Sequence, residues 1–157
     1  MRYRPMFVCL CVVWTAMSGA AAQGSRHPSQ SKLVPPGWSV ERTQGPKNVI
    51  RYVSPDGKAA LTLRDAETRG RGIDDTYATM SRQDGNDITY KRKARSWFVL
   101  SGYRGGDIFY TRVDRACSGT RFHVLELTYP RAAKSDMDAE VTRLSHNLRQ
   151  FENVCPR

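Results

Sequence analysis

Ser96-Trp97-Phe98-Val99-Leu100-Ser101-Gly102-Tyr103-Arg104-Gly105-Gly106-Asp107-Ile108-Phe109-Tyr110-Thr111-Arg112-Val113 is the stretch that decides the fold of this 157-residue chain. Both of its halves are dense in aromatic and β-branched residues, which suit a pleated, half-buried surface. Between them Arg104-Gly105-Gly106-Asp107 supplies a tight turn, because adjacent glycines accept the positive φ angles that a short hairpin loop demands. Successive side chains on a strand point to opposite faces. Trp97, Val99 and Tyr103 are therefore expected on one face of the hairpin, with Phe98 and Leu100 on the other.

The same reading extends outward. Residues 88–93 form the preceding strand, and residues 121–129 the following one, entered through the Cys117-Ser118-Gly119 turn and stopped by Pro130, which cannot donate to a ladder. Toward the N-terminus, residues 38–42 alternate weakly as a first strand. Residues 48–54 place Val49, Arg51 and Val53 on one side and Ile50 and Tyr52 on the other. Pro55-Asp56-Gly57 then turns the chain, since Pro presets its own φ and Gly tolerates a positive one. Residues 59–64 return as a strand, with Leu61 and Leu63 sharing a face.

Two segments switch from a period of two to a helical one. After Arg69-Gly70-Arg71-Gly72 breaks the strand pattern, Ile73, Tyr77 and Met80 recur at helical spacing. Asp74 and Asp75 sit in the first turn, where carboxylates complement the positive end of the helix dipole, and Asp84-Gly85-Asn86 is the expected stop. At the C-terminus Met137, Val141, Leu144, Leu148 and Phe151 draw one apolar stripe, with Ser135 as the expected cap. Strands joined by tight turns pair antiparallel. The expected fold is α+β: an antiparallel sheet of six to seven strands with two helices packed on it, one a long C-terminal amphipathic helix.

Arg2 and Arg4, an apolar run over residues 6–17, and Ala20-Ala21-Ala22 before Gln23 have the layout of a secretory signal peptide. The run is shorter than the roughly 20 apolar residues that a membrane-spanning helix needs. Residues 1–22 are thus expected to be cleaved near Ala22, taking Cys9 and Cys11 with them, and to leave no transmembrane span. Residues 23–36, rich in Gly, Ser, Pro and Gln, read as a flexible leader, and residues 37–157 as a single domain. The product is expected to be a periplasmic or secreted monomer.

The chain carries 25 Lys+Arg against 15 Asp+Glu, and loss of Arg2 and Arg4 leaves 23 against 15, a net charge of +8. Such an excess draws anions. Cys117 and Cys155 remain after cleavage, and an even pair in an oxidising compartment is expected to be joined. Closing a loop of this length contributes on the order of 4 kcal/mol in the chain-entropy account.

Catalytic signals are sparse. The three histidines, His27, His123 and His146, show no metal-ligand spacing, so neither a metal nor another cofactor is expected. Ser118, His123 and Asp114 can be drawn as a hydrolytic triad, though Ser118 lacks a nucleophile-elbow motif. No nucleotide-binding fingerprint surrounds Arg69-Gly70-Arg71-Gly72 or Arg104-Gly105-Gly106, and no specific nucleic-acid partner is expected. What stands out is the interleaving of rings and bases at Tyr90, Lys91, Arg92, Lys93, Arg95, Trp97, Tyr103, Arg104, Tyr110 and Arg112. Aromatic rings and cations sharing a sheet face can form a flat basic platform.

Tyr52-Val53-Ser54-Pro55-Asp56-Gly57-Lys58-Ala59, the segment Ser96-Trp97-Phe98-Val99-Leu100-Ser101-Gly102 and the pair Phe109-Tyr110 resemble features of small uncharacterised exported proteins of rhizobial-type bacteria. The order of strands and helices also resembles the PsbP-like fold of accessory subunits of the photosynthetic oxygen-evolving complex. That resemblance implies a binding or assembly role without chemistry of its own. The expectation is an exported, non-catalytic module that binds an acidic protein partner or an anionic envelope polymer. Lys91, Arg92, Lys93 and Arg104 are the candidate contacts, and Trp97, Tyr103 and Tyr110 the platform. The alternatives are a small secreted hydrolase using Ser118 and His123, or a structural envelope protein.

Overall fold

The apolar alternation that organises the central hairpin generates a seven-stranded antiparallel sheet in the computed structural model, which describes residues 33–41, 46, 48–148 and 155. The elements run β1 (Ser39–Val40), β2 (Val49–Val53), β3 (Ala60–Glu67), α1 (Ile73–Met80), β4 (Asp87–Lys93), β5 (Trp97–Arg104), β6 (Asp107–Ala116), β7 (Arg121–Pro130) and α2 (Lys134–Leu148). In space the strands lie in the order β1-β2-β3-β7-β6-β5-β4. The β2–β3 hairpin therefore docks beside β7, which makes the very short β1 one edge of the sheet and β4 the other.

Each face of the sheet has its own core. On one face Leu61, Leu63, Val99, Ile108, Tyr110, Leu125, Leu127 and Tyr129 pack with Leu144 and Leu148 of α2. On the other, Phe98, Leu100, Phe109, Val113 and Phe122 pack with Ile73 of α1, and Tyr77 and Met80 lie against them. Trp97, Val99 and Tyr103 all belong to the α2 face and Phe98 and Leu100 to the α1 face, as the alternation requires. Each fully buried Leu or Phe contributes about 1.5–3 kcal/mol of transfer free energy, so the longest apolar strands sit at the centre of the sheet.

Several boundaries differ from the sequence reading. Leu33 is only 3 % exposed and packs with the α2-face core, with Val34 against it, so the leader drawn over residues 23–36 ends earlier. Burial of one leucine outweighs the polar composition around it. α1 stops at Met80 with Ser81 as its cap. Gly85, at φ +80°, instead shapes the turn into β4. α2 begins at Lys134 after a 3₁₀ turn over Arg131–Ala133, which places Ser135 inside the helix, not at its cap. The signal-peptide segment, His27 and Phe151 lie outside the described residues.

Candidate functional site

β4 is an edge strand. Among the described strands it pairs only with β5, and every residue from Thr89 to Ser96 is exposed. Its register breaks once, between Ile88 and Tyr90: Ile88 lies opposite Gly102, whereas Tyr90 lies opposite Ser101. A one-residue shift transfers every later side chain to the opposite face. The bulge therefore puts Tyr90 and Arg92 on the α2 face and Lys91 and Lys93 on the α1 face. It also explains Gly102, because a Cβ there would lie 1.9 Å from the Asp87 carbonyl oxygen.

The seven candidate binding residues do not form one platform; they divide between two faces. On the α2 face the Arg92 guanidinium lies 5.7 Å from the Trp97 ring centroid, and Arg112 reaches the same ring at 4.7 Å. Tyr103 sits further along that face under Arg131, 4.0 Å away. Tyr110 is 8 % exposed and belongs to the core. Burial pushes its phenol above the usual 10.0, partly opposed by a hydrogen bond with Ser145 of α2.

On the α1 face, Lys93 Nζ donates to Asp74 Oδ1 at 2.6 Å and lies 5.3 Å from the Tyr77 ring centroid. That bond holds the ammonium above its ordinary 10.5 and ties α1 to the sheet edge. Arg104 donates to Glu126 and Asn86, 2.8 Å each, above the Phe109 ring. Lys93 and Arg104 are thus engaged by acceptors of the protein itself. Lys91 and Arg92 stand on the edge with no carboxylate partner among the described residues, as does Arg95 in the β4–β5 turn.

A buried ion pair was not anticipated. Arg112 and Asp114 are each 1 % exposed. Arg112 Nε and Nη2 donate to the two Asp114 oxygens at 2.7 and 2.5 Å, and Nη1 reaches Ser145 Oγ at 3.2 Å. Arg112 therefore does not belong to an outer basic surface. The available signal was the i, i+2 spacing of opposite charges on one strand, which places both on one face.

The same pair bears on the hydrolytic triad. His123 lies directly opposite Asp114 in the β6–β7 register, but both Asp114 oxygens accept from Arg112. His123 Nε2 lies 3.9 Å from Asp65 Oδ1. Ser118 makes no hydrogen bond to His123. Cys117 and Cys155 are bonded, with Cα atoms 5.5 Å apart. No group of three or more metal-ligating side chains occurs among the described residues, and none of the described helices is long and apolar enough to cross a membrane.

The fold has solved counterparts. The solution structure of cyanobacterial PsbP (CyanoP) from Synechocystis sp. PCC 6803 matches with a TM-score of 0.51 at 11 % identity, over 73 % of this chain and 82 % of that one. The Ran-binding protein Mog1p of Saccharomyces cerevisiae matches with a TM-score of 0.47 at 13 % identity, over 77 % and 85 %. At such identity the likeness establishes a PsbP-like α+β fold and nothing about activity. No protein-family model matches the chain, and no curated protein matches it.

Proposed function

We propose that this protein is an exported, non-catalytic module that binds an anionic macromolecule of the cell envelope, an acidic polymer or an acidic protein surface, along the β4 edge. The observation that carries this reading is the contrast among its cations. Lys93, Arg104, Arg112 and Arg121 are engaged by carboxylates, while Lys91, Arg92 and Arg95 project from one edge without such partners among the described residues. Trp97 beside Arg92 adds a ring that can stack with a ligand or hold the guanidinium in place. Export is supported by the signal-like layout of residues 1–22 and by the Cys117–Cys155 pairing.

The β4 edge is suited to side-chain contacts more than to strand addition. Exposed cations and a bulge are the features that discourage another chain from pairing with an open edge, which also favours a monomer. The test is retention of the protein from Gln23 onward on a sulfated polysaccharide matrix over a salt gradient. The combined K91Q/R92Q/R95Q variant is expected to elute at distinctly lower salt, because exposed charge contacts weaken as the Debye length shrinks. R64Q, which removes an exposed cation on β3, is expected to elute almost as the parent does. Equal shifts for both variants, normalised per charge, would exclude a localised edge site.

A further inference from the structure

We propose that the cavity at the β6–β7 turn is a binding site for a phosphate group, held by Arg69, Arg115 and Arg121. This site does not depend on the function proposed for the β4 edge, although Arg115 N donates to Ser96 O, beside Arg95, at 2.6 Å. The cavity is an open cleft of about 930 Å³ whose described lining comprises residues 67–70, Arg115, residues 117–121 and Cys155.

Backbone strain is the first observation. Three non-glycine residues among those described have positive φ: Arg69 at 48°, Cys117 at 54° and Ser118 at 54°. All three line this one cavity. L-residues adopt that conformation at a cost, and such residues cluster where a protein shapes a ligand site. Here the strained turns are clamped together. Thr68 is 5 % exposed; its N–H donates to Thr120 O at 2.9 Å and its Oγ1 to Gly119 O at 3.1 Å. The loop after β3 and the β6–β7 turn thereby form one wall.

Charge is the second. Arg69, Arg115 and Arg121 reach the cavity from three separate segments, and Glu67 is the one acid among its described lining residues. The described lining residues carry a net +2, which the Asp65 carboxylate bonded to Arg121 reduces to +1. Arg121 is aimed by the 2.6 Å bond from its Nε to Asp65, which uses one of five guanidinium donors. Arg115 folds across the turn and donates from Nε to Gly119 O at 3.3 Å. Gly119 makes room for it, since a Cβ at that position would lie 2.7 Å from Arg115 Nη2. Arg69 is 81 % exposed in its side chain and only loosely paired to Glu67 at 3.9 Å.

Guanidinium forks recognise carboxylate and phosphate oxygens by paired N–H donors. Arg115 and Arg121 start from opposite faces at the ends of β6 and β7 and both line the cavity with Arg69, and guanidinium donors favour a group with several acceptor oxygens. A phosphate monoester, with a charge of about −1.5 to −2 near neutrality, answers the excess of positive charge among the described lining residues. The group can be free or carried by a lipid, and the experiment separates these sources.

Backbone amide shifts of the isotope-labelled protein are followed during titration with inorganic phosphate and with glycerol 3-phosphate, in parallel with flotation on vesicles containing phosphatidic acid. Saturable shifts confined to residues 67–70 and 115–121, weakened at least about tenfold in R115Q and in R69Q but unchanged in R64Q, support a site for soluble phosphate. Vesicle binding lost in R69Q and R115Q, without a soluble titration, assigns the same site to a lipid headgroup. Absence of binding to all three probes, or equal weakening by R64Q, overturns the proposal. Arg69 is exposed enough for its variant to fold, so R69Q keeps the test decisive should R115Q disturb the turn.

Discussion

Arg112 and Asp114, two residues apart on β6, face the same side of the sheet and meet as a bidentate ion pair sealed beneath α2. Neither charge has water to return to. Breaking such a pair strands the survivor in a low-dielectric interior, whereas replacing both partners by apolar residues of similar volume is far better tolerated. D114N is therefore expected to destabilise the protein by roughly 3–5 kcal/mol, and R112M/D114L to recover most of that loss. Urea denaturation of the parent and the two variants measures both.

Gly102 joins the edge strand to the sheet through closeness of backbone. Alanine at this position drives its methyl group into the Asp87 carbonyl, so β4 must move away at its bulge. G102A is expected to destabilise by about 1–3 kcal/mol, the usual range for overpacking, and to speed amide exchange selectively in β4. Uniform exchange across β4, β5 and β6 would contradict the role given to this glycine.

Tyr110 and Tyr129 make stability sensitive to alkali. Burial raises both phenols above 10.0, joined at Tyr129 by the Asp138 charge. A folded-state pKa above the unfolded value favours the protonated form of the native protein. The corresponding stability is intact below about pH 10 and is lost as pH rises toward the folded values. Tyrosinate absorbance from these two residues is expected to appear together with loss of near-ultraviolet circular dichroism, and Y110F is expected to move that transition to higher pH.

The Cys117–Cys155 bond anchors the C-terminal segment to a turn whose backbone is held in the left-handed region. C117S/C155S is expected to lose about 2–4 kcal/mol while keeping the circular dichroism of the sheet. Calorimetry of the parent with and without reductant should reproduce the loss. No difference between those two traces would mean that the bridge constrains little.

Much of the architecture was legible because it rests on local chemistry. Alternation in β5 and β6 assigned Val99 and Phe98 to opposite cores, and the Gly105-Gly106 turn set their pairing. In α2 the spacing of Met137, Val141, Leu144 and Leu148 identified the face that lies on the sheet. The ends of elements were less legible. Gly85 has the chemistry of a helix stop but serves a turn, and Ser135 has the chemistry of a cap but lies one residue inside a helix started by a 3₁₀ turn. In each case tertiary packing chose among local options of similar free energy.

The candidate site was legible only in composition. The cluster of rings and bases was visible, but its division was not, because Thr89 looks like any strand residue and nothing local marks it as the extra one. Without that bulge Arg92 would share the face of Phe98, and Lys93 that of Trp97. Lys93 is likewise neutralised by Asp74, nineteen positions earlier, through a helix docking that no short window of sequence contains.

By itself the sequence determined the class of the fold, the identity of the two core faces, the basic charge and the cysteine pair available for bridging, since all of these follow from residue type and short-range spacing. Only the tertiary structure decided which cations are engaged and which stand open, that Arg112 is interior, and that Arg69, Arg115 and Arg121 line one cavity. Those outcomes depend on register, on one bulge and on the docking of β3 beside β7, which bring together residues whose distances along the chain carry no information about their distances in space.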